Sequence, residues 1–384
     1  MSNLTFGGER PVVAHFKDAF LPLSETFVYP LVSRLDRYQS IVVDRHQRQN
    51  RQAFPFEDYY SVAEKRGPWY AKAERLTLRY LGRSPYLERV LKGTSARIIH
   101  AHFGQLGALI TPVARRLGLP LVVSFYGKDL SIFVQDPRWK SRFDRLWQDV
   151  HTVVALGDNM VSQLERAGCS AHKLVILPIA IDLERVQYVE RVPPEPDATI
   201  HLLAVGRLVD KKGFDVALRA VSSLAGSLNI HLSIAGEGPE RANLEELARQ
   251  LNVRHKTSFL GWLNYDQFIA EMSKADLFVL PSRSDRKTGE TEGTPTVLLE
   301  AQATGLPVVS TLHAGIPDIV QHGQSGWLVP ENNPRALAMQ LREILAKSPE
   351  WAEVSRRARL NIERNHSLPV VVARLEKIYD ACLQ

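Results

Sequence analysis

Short runs of β-branched and aromatic residues recur through the first half of the chain: PVVAHF (11–16), SIVVD (40–44), RIIHAHF (97–103), PLVVSFYG (120–127), TVVAL (152–156) and KLVILP (173–178). Longer helix-forming segments separate them, which is the βαβ rhythm of a parallel, doubly wound sheet. A second series follows: IHLLAVGRL (200–208), IHLSIAGEG (230–238), TSFLGWL (257–263), ADLFVLPS (275–282), LPVVST (306–311) and GWLVP (326–330). Between the two, ERVPPEPD (190–197) packs three prolines into eight residues, which neither a strand nor a helix interior accepts. The pattern predicts an α/β protein of two Rossmann-like, doubly wound domains, the first over 1–190 and the second over 198–365, joined by a linker at 191–197. The tail, rich in Ala, Leu, Arg and Glu, reads as helices, the last of which (366–384) is expected to cross back to the first domain. Two such sheets in tandem are expected to face each other across a deep cleft between their carboxyl edges, the usual ligand site for this architecture.

A chain of 384 residues with 45% apolar content supplies a core to each of two domains. The net charge of +6 suits an anionic substrate or membrane surface and falls short of nucleic-acid-binding composition. Cys169 and Cys382 are the two cysteines, far apart and outside any C-x-x-C pair, so a disulfide framework and a structural zinc are not expected and the cytosol is. The first residues, MSNLTFGGERPVVAHF, lack an apolar signal core. No window approaches the roughly 18 uncharged apolar residues of a spanning helix, so the expectation is a cytoplasmic protein.

Candidate chemistry concentrates in EGTPTVLLEAQATGLPVVST (292–311), where Glu292 and Glu300 are separated by seven residues. Pro295 suits a first helical turn and Thr294 a cap, so a helix is expected from there to Gly305. Glu292 then lies in the loop and Glu300 inside the helix. The N–H groups of Thr296, Val297 and Leu298 make a seat for a diphosphate, with Glu300 suited to ribose hydroxyls and Glu292 to sugar hydroxyls. Spacing alone leaves both as ordinary surface glutamates. In VGRLVDKKGF (205–214) Gly206 permits a tight turn after the strand, and Arg207 and Lys212 bring two cations that can neutralise a pyrophosphate in place of a divalent metal. Asp-x-Asp occurs nowhere in the chain, and neither a metal nor another cofactor is expected.

VGRLVDKKGFDVALRA, IAGEGPER, FLGWL, LFVLPS, EGTPTVLLEAQATGLPVVST and GIPDIVQHGQSGWLVP, in this order over about 200–330, make the second half resemble the retaining GT-B glycosyltransferases of family 4. The resemblance implies transfer of a sugar from a nucleoside-diphosphate donor, a UDP-sugar ahead of a GDP-sugar, to a hydroxyl of a glycan or lipid-linked glycan. It implies diphosphate contacts from Arg207 and Lys212, donor-sugar contact from Glu292, ribose contact from Glu300, and sugar and phosphate contacts along 293–298, including Gly293. Backbone at Leu260 and Gly261 is expected at the nucleobase. Retention implies that the leaving phosphate oxygen helps take the acceptor proton, with no side-chain base required. A nucleotide-sugar epimerase, a non-catalytic donor-binding subunit and a transferase with a small-molecule acceptor are the rival readings.

The first half carries FLPLSETFV (20–28) where the family more often has a Gly-Gly loop. A Ser-Glu-Thr-Phe version resembles enzymes of bacterial capsule and exopolysaccharide assembly, and turns Ser24, Glu25 and Thr26 toward donor phosphates or acceptor. Ser24 reads equally as a helix cap. Family members often read His-Gly-x-Asp where this chain has Tyr126, Gly127, Lys128 and Asp129. The acceptor-side candidates are therefore Tyr126, Lys128, Asp129 and His102, the last also readable as a packed strand residue. Residues 65–92 hold eight Lys/Arg against two Glu, with Trp69, Tyr70, Tyr80 and Tyr86 interleaved. That stretch suits anionic lipid headgroups on the inner membrane face, or equally a solvated basic helix whose aromatics pack on the first domain.

Overall fold

The computed structural model describes residues 10–20, 27–46, 50, 52–195, 198–346 and 350–384. The chain divides into two compact units, one of residues 1–180 with 368–384 and one of residues 181–367. The first boundary falls ahead of the proline-rich stretch expected to be the linker. Arg191 explains why that stretch stays with the second unit: its buried guanidinium donates to the carbonyls of Met272, Ser273 and Ala275 at 3.0–3.1 Å.

The first unit is a parallel sheet of β1 (Val12–Lys17), β2 (Gln39–Asp44), β3 (Tyr59–Ser61), β4 (Ala96–His102), β5 (Leu121–Ser124), β6 (Thr152–Ala155) and β7 (Leu174–Ile176). Their order is β3-β2-β1-β4-β5-β6-β7. The second unit repeats the plan with β8 (Ile200–Val205), β9 (Ile230–Ala235), β10 (Thr257–Gly261), β11 (Leu277–Leu280), β12 (Val308–Thr311) and β13 (Trp327–Val329), ordered β10-β9-β8-β11-β12-β13. Every apolar run named above becomes a strand. β3 went unread because three residues, two of them tyrosines, carry no alternation long enough to signal a strand. Each sheet reverses its strand order once, between β1 and β4 and between β8 and β11, and ligands of doubly wound sheets bind outside the strand ends at that reversal.

The helix Leu368–Cys382 completes the first unit. Its Val371, Val372, Leu375 and Tyr379 join Val13, Ile98, Leu31 and Leu35 in one buried cluster. Glu376 accepts the N–H groups of Asp36 and Arg37, both at 2.7 Å, just past the helix Val28–Ser33. The carboxylate thereby satisfies donors that would otherwise be stranded at the end of that short helix.

Candidate active site

In the second unit Glu292 is nearly buried, 8% exposed, and its carboxylate lies 3.0 Å from Lys212 Nζ and 3.9 Å from Lys211 Nζ. Burial works against the charge. The two ammoniums and a hydrogen bond from Lys212 overcome it, so the carboxyl sits below the ordinary glutamate range. Lys211 also pairs with Glu290 at 2.8 Å. The Glu292 N–H donates to His313 Nε2 at 3.2 Å, which assigns the neutral ring's proton to Nδ1, facing Glu331 Oε1 at 2.9 Å. His313, Lys211 and Glu290 escaped the sequence reading because no fixed spacing ties them to Glu292.

The turn carrying the lysines, Asp210–Lys212, is pinned from below. Arg283, 2% exposed, reaches Asp210 at 2.7 Å and Asp215 at 2.8 Å. It also donates to Asn332 at 3.2 Å, and Arg286 adds a second guanidinium on Asp210. Burial disfavours the Asp210 charge, yet hydrogen bonds from Arg286 and Arg283 hold its carboxyl well below the usual range. Gly213 closes the turn at φ +68°, and a Cβ there would stand 2.0 Å from the Pro281 carbonyl oxygen, so only glycine lets the turn approach the end of β11. Arg207, at the end of β8, is exposed and has no carboxylate partner among the described residues.

The helix over Thr296–Thr304 begins one residue later than expected. Pro295 is the cap residue (φ −66°, ψ 107°) and no side chain caps the helix, so Thr294 does not play that part. The reason is local: Pro295 is itself extended, so it is the half-in residue, and its carbonyl closes the first turn on the Leu298 N–H at 3.1 Å. Leu298 is thereby corrected as a donor; Thr296 and Val297 keep N–H groups without partners among the described residues. Gly293 packs against the loop after β12, where a Cβ on Gly315 would meet the Gly293 carbonyl oxygen at 2.8 Å.

Glu300, one helical stretch further on, is half-buried, and burial pushes its carboxyl up to about 7 against the pull of Arg185. Arg185 lies over the Tyr265 ring at 4.2 Å. Burial, and then Glu300, raise the Tyr265 phenol to about 12. Leu260 and Gly261 end β10, and Gly206 directly follows β8. The Gly206 N–H donates to Ala235 at 3.0 Å and the Gly236 N–H to Gly261 at 2.7 Å, so the three neighbouring strands finish level on glycine backbone.

In the first unit Ser24, Glu25 and Thr26 lie outside the described residues. At the end of β4, Phe103 takes φ +81°, a strained conformation of the kind that marks functional turns. It packs on Tyr126 at 4.9 Å, with the buried Lys17 Nζ 5.3 Å above its ring. Asp129 is fully buried and accepts the N–H groups of Gly104, Tyr126, Gly127 and Leu130 at 2.8–3.2 Å. It holds the loop together and is not available to an acceptor. Lys128 is exposed.

His102 does not stand alone. Its Nε2 meets His15 Nδ1 at 3.0 Å and its Nδ1 meets the Tyr126 hydroxyl at 2.8 Å. His15 Nε2 reaches Ser40 at 3.3 Å, while His100 lies between Ser124 and Tyr379, both at 2.7 Å. Burial depresses all three imidazoles, His100 to about 3, so they are neutral near pH 7. Their nitrogens come within 4.8 Å of one another, as metal ligands would. Every ring nitrogen, however, already has a hydrogen-bonding partner and the rings stack, which fits a buried hydrogen-bond chain rather than a metal cage. No described helix is long and apolar enough to cross a membrane.

Residues 189–361 match the family model described as "Glycosyl transferases group 1", and residues 25–180 the one described as "Glycosyl transferase 4-like domain". The chain is 31% identical over 291 residues to the putative colanic acid biosynthesis glycosyltransferase WcaL of Escherichia coli, a match covering 74% of this chain and 71% of that one. The amylovoran biosynthesis glycosyltransferase AmsK of Erwinia amylovora is 28% identical over 292 residues, 75% of this chain and 71% of its own. The crystal structure of Anabaena HepE in complex with UDP and glucose superposes with a TM-score of 0.76 over 97% of this chain and 100% of that one. At 14% identity that likeness is one of fold.

Proposed function

This chain belongs to the group 1, family 4 glycosyltransferases of GT-B fold, and from that membership we propose that it moves a sugar, with retained configuration, from a nucleoside-diphosphate donor to a hydroxyl of a growing exopolysaccharide or its lipid-linked precursor. The observation that carries the donor part is the buried Glu292 carboxylate held by Lys212 and Lys211, in the loop that runs into an uncapped helix start. A diphosphate entering there takes over the Lys212 charge, meets Arg207 and accepts from the Thr296 and Val297 N–H groups. Glu292, relieved of part of its pairing, is then free to accept sugar hydroxyls, and Glu300 accepts from the ribose. These fixed positive groups stabilise the leaving pyrophosphate without a divalent metal. The leaving phosphate oxygen, on the same face as the incoming hydroxyl, takes the acceptor proton.

The polysaccharide assignment rests on the similarity to WcaL and AmsK, glycosyltransferases of colanic acid and amylovoran biosynthesis, and a UDP-sugar is the donor to try first. Two free cysteines fit a cytoplasmic enzyme. A thermal-shift screen against UDP- and GDP-sugars, followed by NMR of the product's anomeric proton, tests the proposal. Stabilisation by one donor and a product of unchanged anomeric configuration are expected. No shift with any nucleotide sugar, or an inverted product, overturns it.

A further inference from the structure

Five of the twelve large apolar side chains exposed among the described residues lie on one element, and the other seven are scattered. Trp69, Tyr70, Leu76, Tyr80 and Leu81 all belong to the helix Pro68–Leu81, with Trp69 82% exposed and Tyr80 and Leu81 each 69%. The inner side of that helix is firmly held. Leu78 and Glu74 are buried, and the Glu74 carboxylate accepts from the Ser84 hydroxyl at 2.5 Å and from the Tyr86 N–H at 2.9 Å. Tyr86, the fourth aromatic of this basic stretch, turns inward and donates its hydroxyl to the Ser61 carbonyl at 3.2 Å. One aromatic therefore packs on the unit as a solvated helix would have it, while the other three face water.

At 100° per residue, Trp69, Lys72, Ala73, Leu76 and Tyr80 fall on one stripe, opposite Glu74 and Leu78. With Glu74 turned inward, the helix's outward charges are Lys72, Arg75 and Arg79, all positive and all exposed. Lys72 Nζ rides 5.7 Å over the Trp69 ring, and the Arg79 guanidinium 5.8 Å over Tyr80. Lys65, Arg66 and Arg83 extend the positive charge beyond both ends.

We infer that this helix is the surface by which the enzyme rests on an anionic lipid bilayer. Three features select that occupant. Tryptophan and tyrosine rings settle at the level of lipid headgroups. Long cationic side chains lying along those rings can lift their charges to phosphate while their stems stay apolar. The helix's own outward charge is of one sign and outweighs the one exposed acid beside it, Glu64, which suits an acidic leaflet. At 14 residues the helix measures about 21 Å, too short to span, so it lies in the interface plane. The inference concerns where the enzyme works and does not depend on the donor chemistry.

Co-sedimentation of the full chain with vesicles of phosphatidylcholine, with and without phosphatidylglycerol, provides the test. The wild type is expected to bind the anionic vesicles, to bind the neutral ones far more weakly, and to lose binding as salt rises. Replacing Lys72, Arg75 and Arg79 by Gln should lower partitioning about 100-fold, at roughly fivefold per cation. The triple variant Trp69→Ser, Leu76→Ser, Tyr80→Ser should lose at least tenfold. Neither set touches the core, so the thermal melt in vesicle-free solution should match wild type. Equal binding to neutral and anionic vesicles, or wild-type binding by both variants, overturns the inference. So does a dimer in solution that the serine variant dissolves without any vesicle binding, which would assign the stripe to a second copy.

Discussion

A buried carboxylate normally protonates rather than keep its charge out of water, so Glu292 is informative for staying ionised: Lys212 and Lys211 are close enough to outweigh its desolvation. Lys212→Ala should cut turnover at least ~100-fold by removing a cation from the leaving pyrophosphate, and should cost a few kcal/mol of stability by stranding the charge. Adding Glu292→Gln should recover much of that stability in urea denaturation and none of the activity, which separates the catalytic from the structural part of the pair. Glu300 behaves in the opposite way, its carboxyl raised to about 7 because burial outweighs Arg185. Below pH 7 it is protonated and a poorer acceptor for ribose hydroxyls. The donor KM is therefore expected to rise as pH falls from 8 to about 6, and Glu300→Gln to show a uniformly high KM with that dependence flattened.

At the scale of elements, the second unit works through short segments set at strand ends. The Asp210–Lys212 turn has almost no structure of its own to enforce, and Arg283 supplies it by bridging Asp210, Asp215 and Asn332 from a buried position. Arg283→Ala strips Asp215 of its cation and leaves Asp210 with Arg286 alone. A loss of about 3–5 kcal/mol is expected, read in chemical denaturation, together with a fall in kcat larger than that of Arg286→Ala, whose side chain is exposed. The strands were legible because each apolar run is short and bounded by turn residues. The helix start at Thr296 was misplaced by one residue because the roles of Thr294 and Pro295 follow from the backbone at the β12 loop and the Pro295 carbonyl, neither of which propensity encodes.

Over the whole molecule, the first unit draws on both ends of the chain, with Leu368–Cys382 supplying part of its core and Tyr379 reaching His100. The three neutral histidines in that core tie its stability to pH. Their folded pKa values lie below the unfolded value of about 6.5, so their contribution is complete above that pH. It is lost on acidification, because the unfolded chain takes up the protons first. Asp44, raised to about 7 by burial, opposes part of the effect, so the cleanest reading is a difference between variants. Between about pH 4.5 and 6, His15→Gln should show a slope of stability against pH shallower than wild type by about 1.4 kcal/mol per unit. Urea midpoints across that range measure it, and parallel slopes would refute the coupling.

The order of apolar runs fixed two doubly wound sheets, and the ordered motifs over about 200–330 marked the family and, through it, Glu292, Glu300, Arg207 and Lys212 as donor-side candidates. Both are local or periodic properties, written into consecutive residues. What only the folded chain decided involves partners distant in sequence: His313 against Glu292, Arg283 beneath the lysine turn, His15 joining His102 to Tyr126, and Glu74 turning inward so that Trp69 and Tyr80 face water. Burial and hydrogen-bond satisfaction choose such partners, and both depend on what the sheet brings together rather than on what the sequence sets side by side.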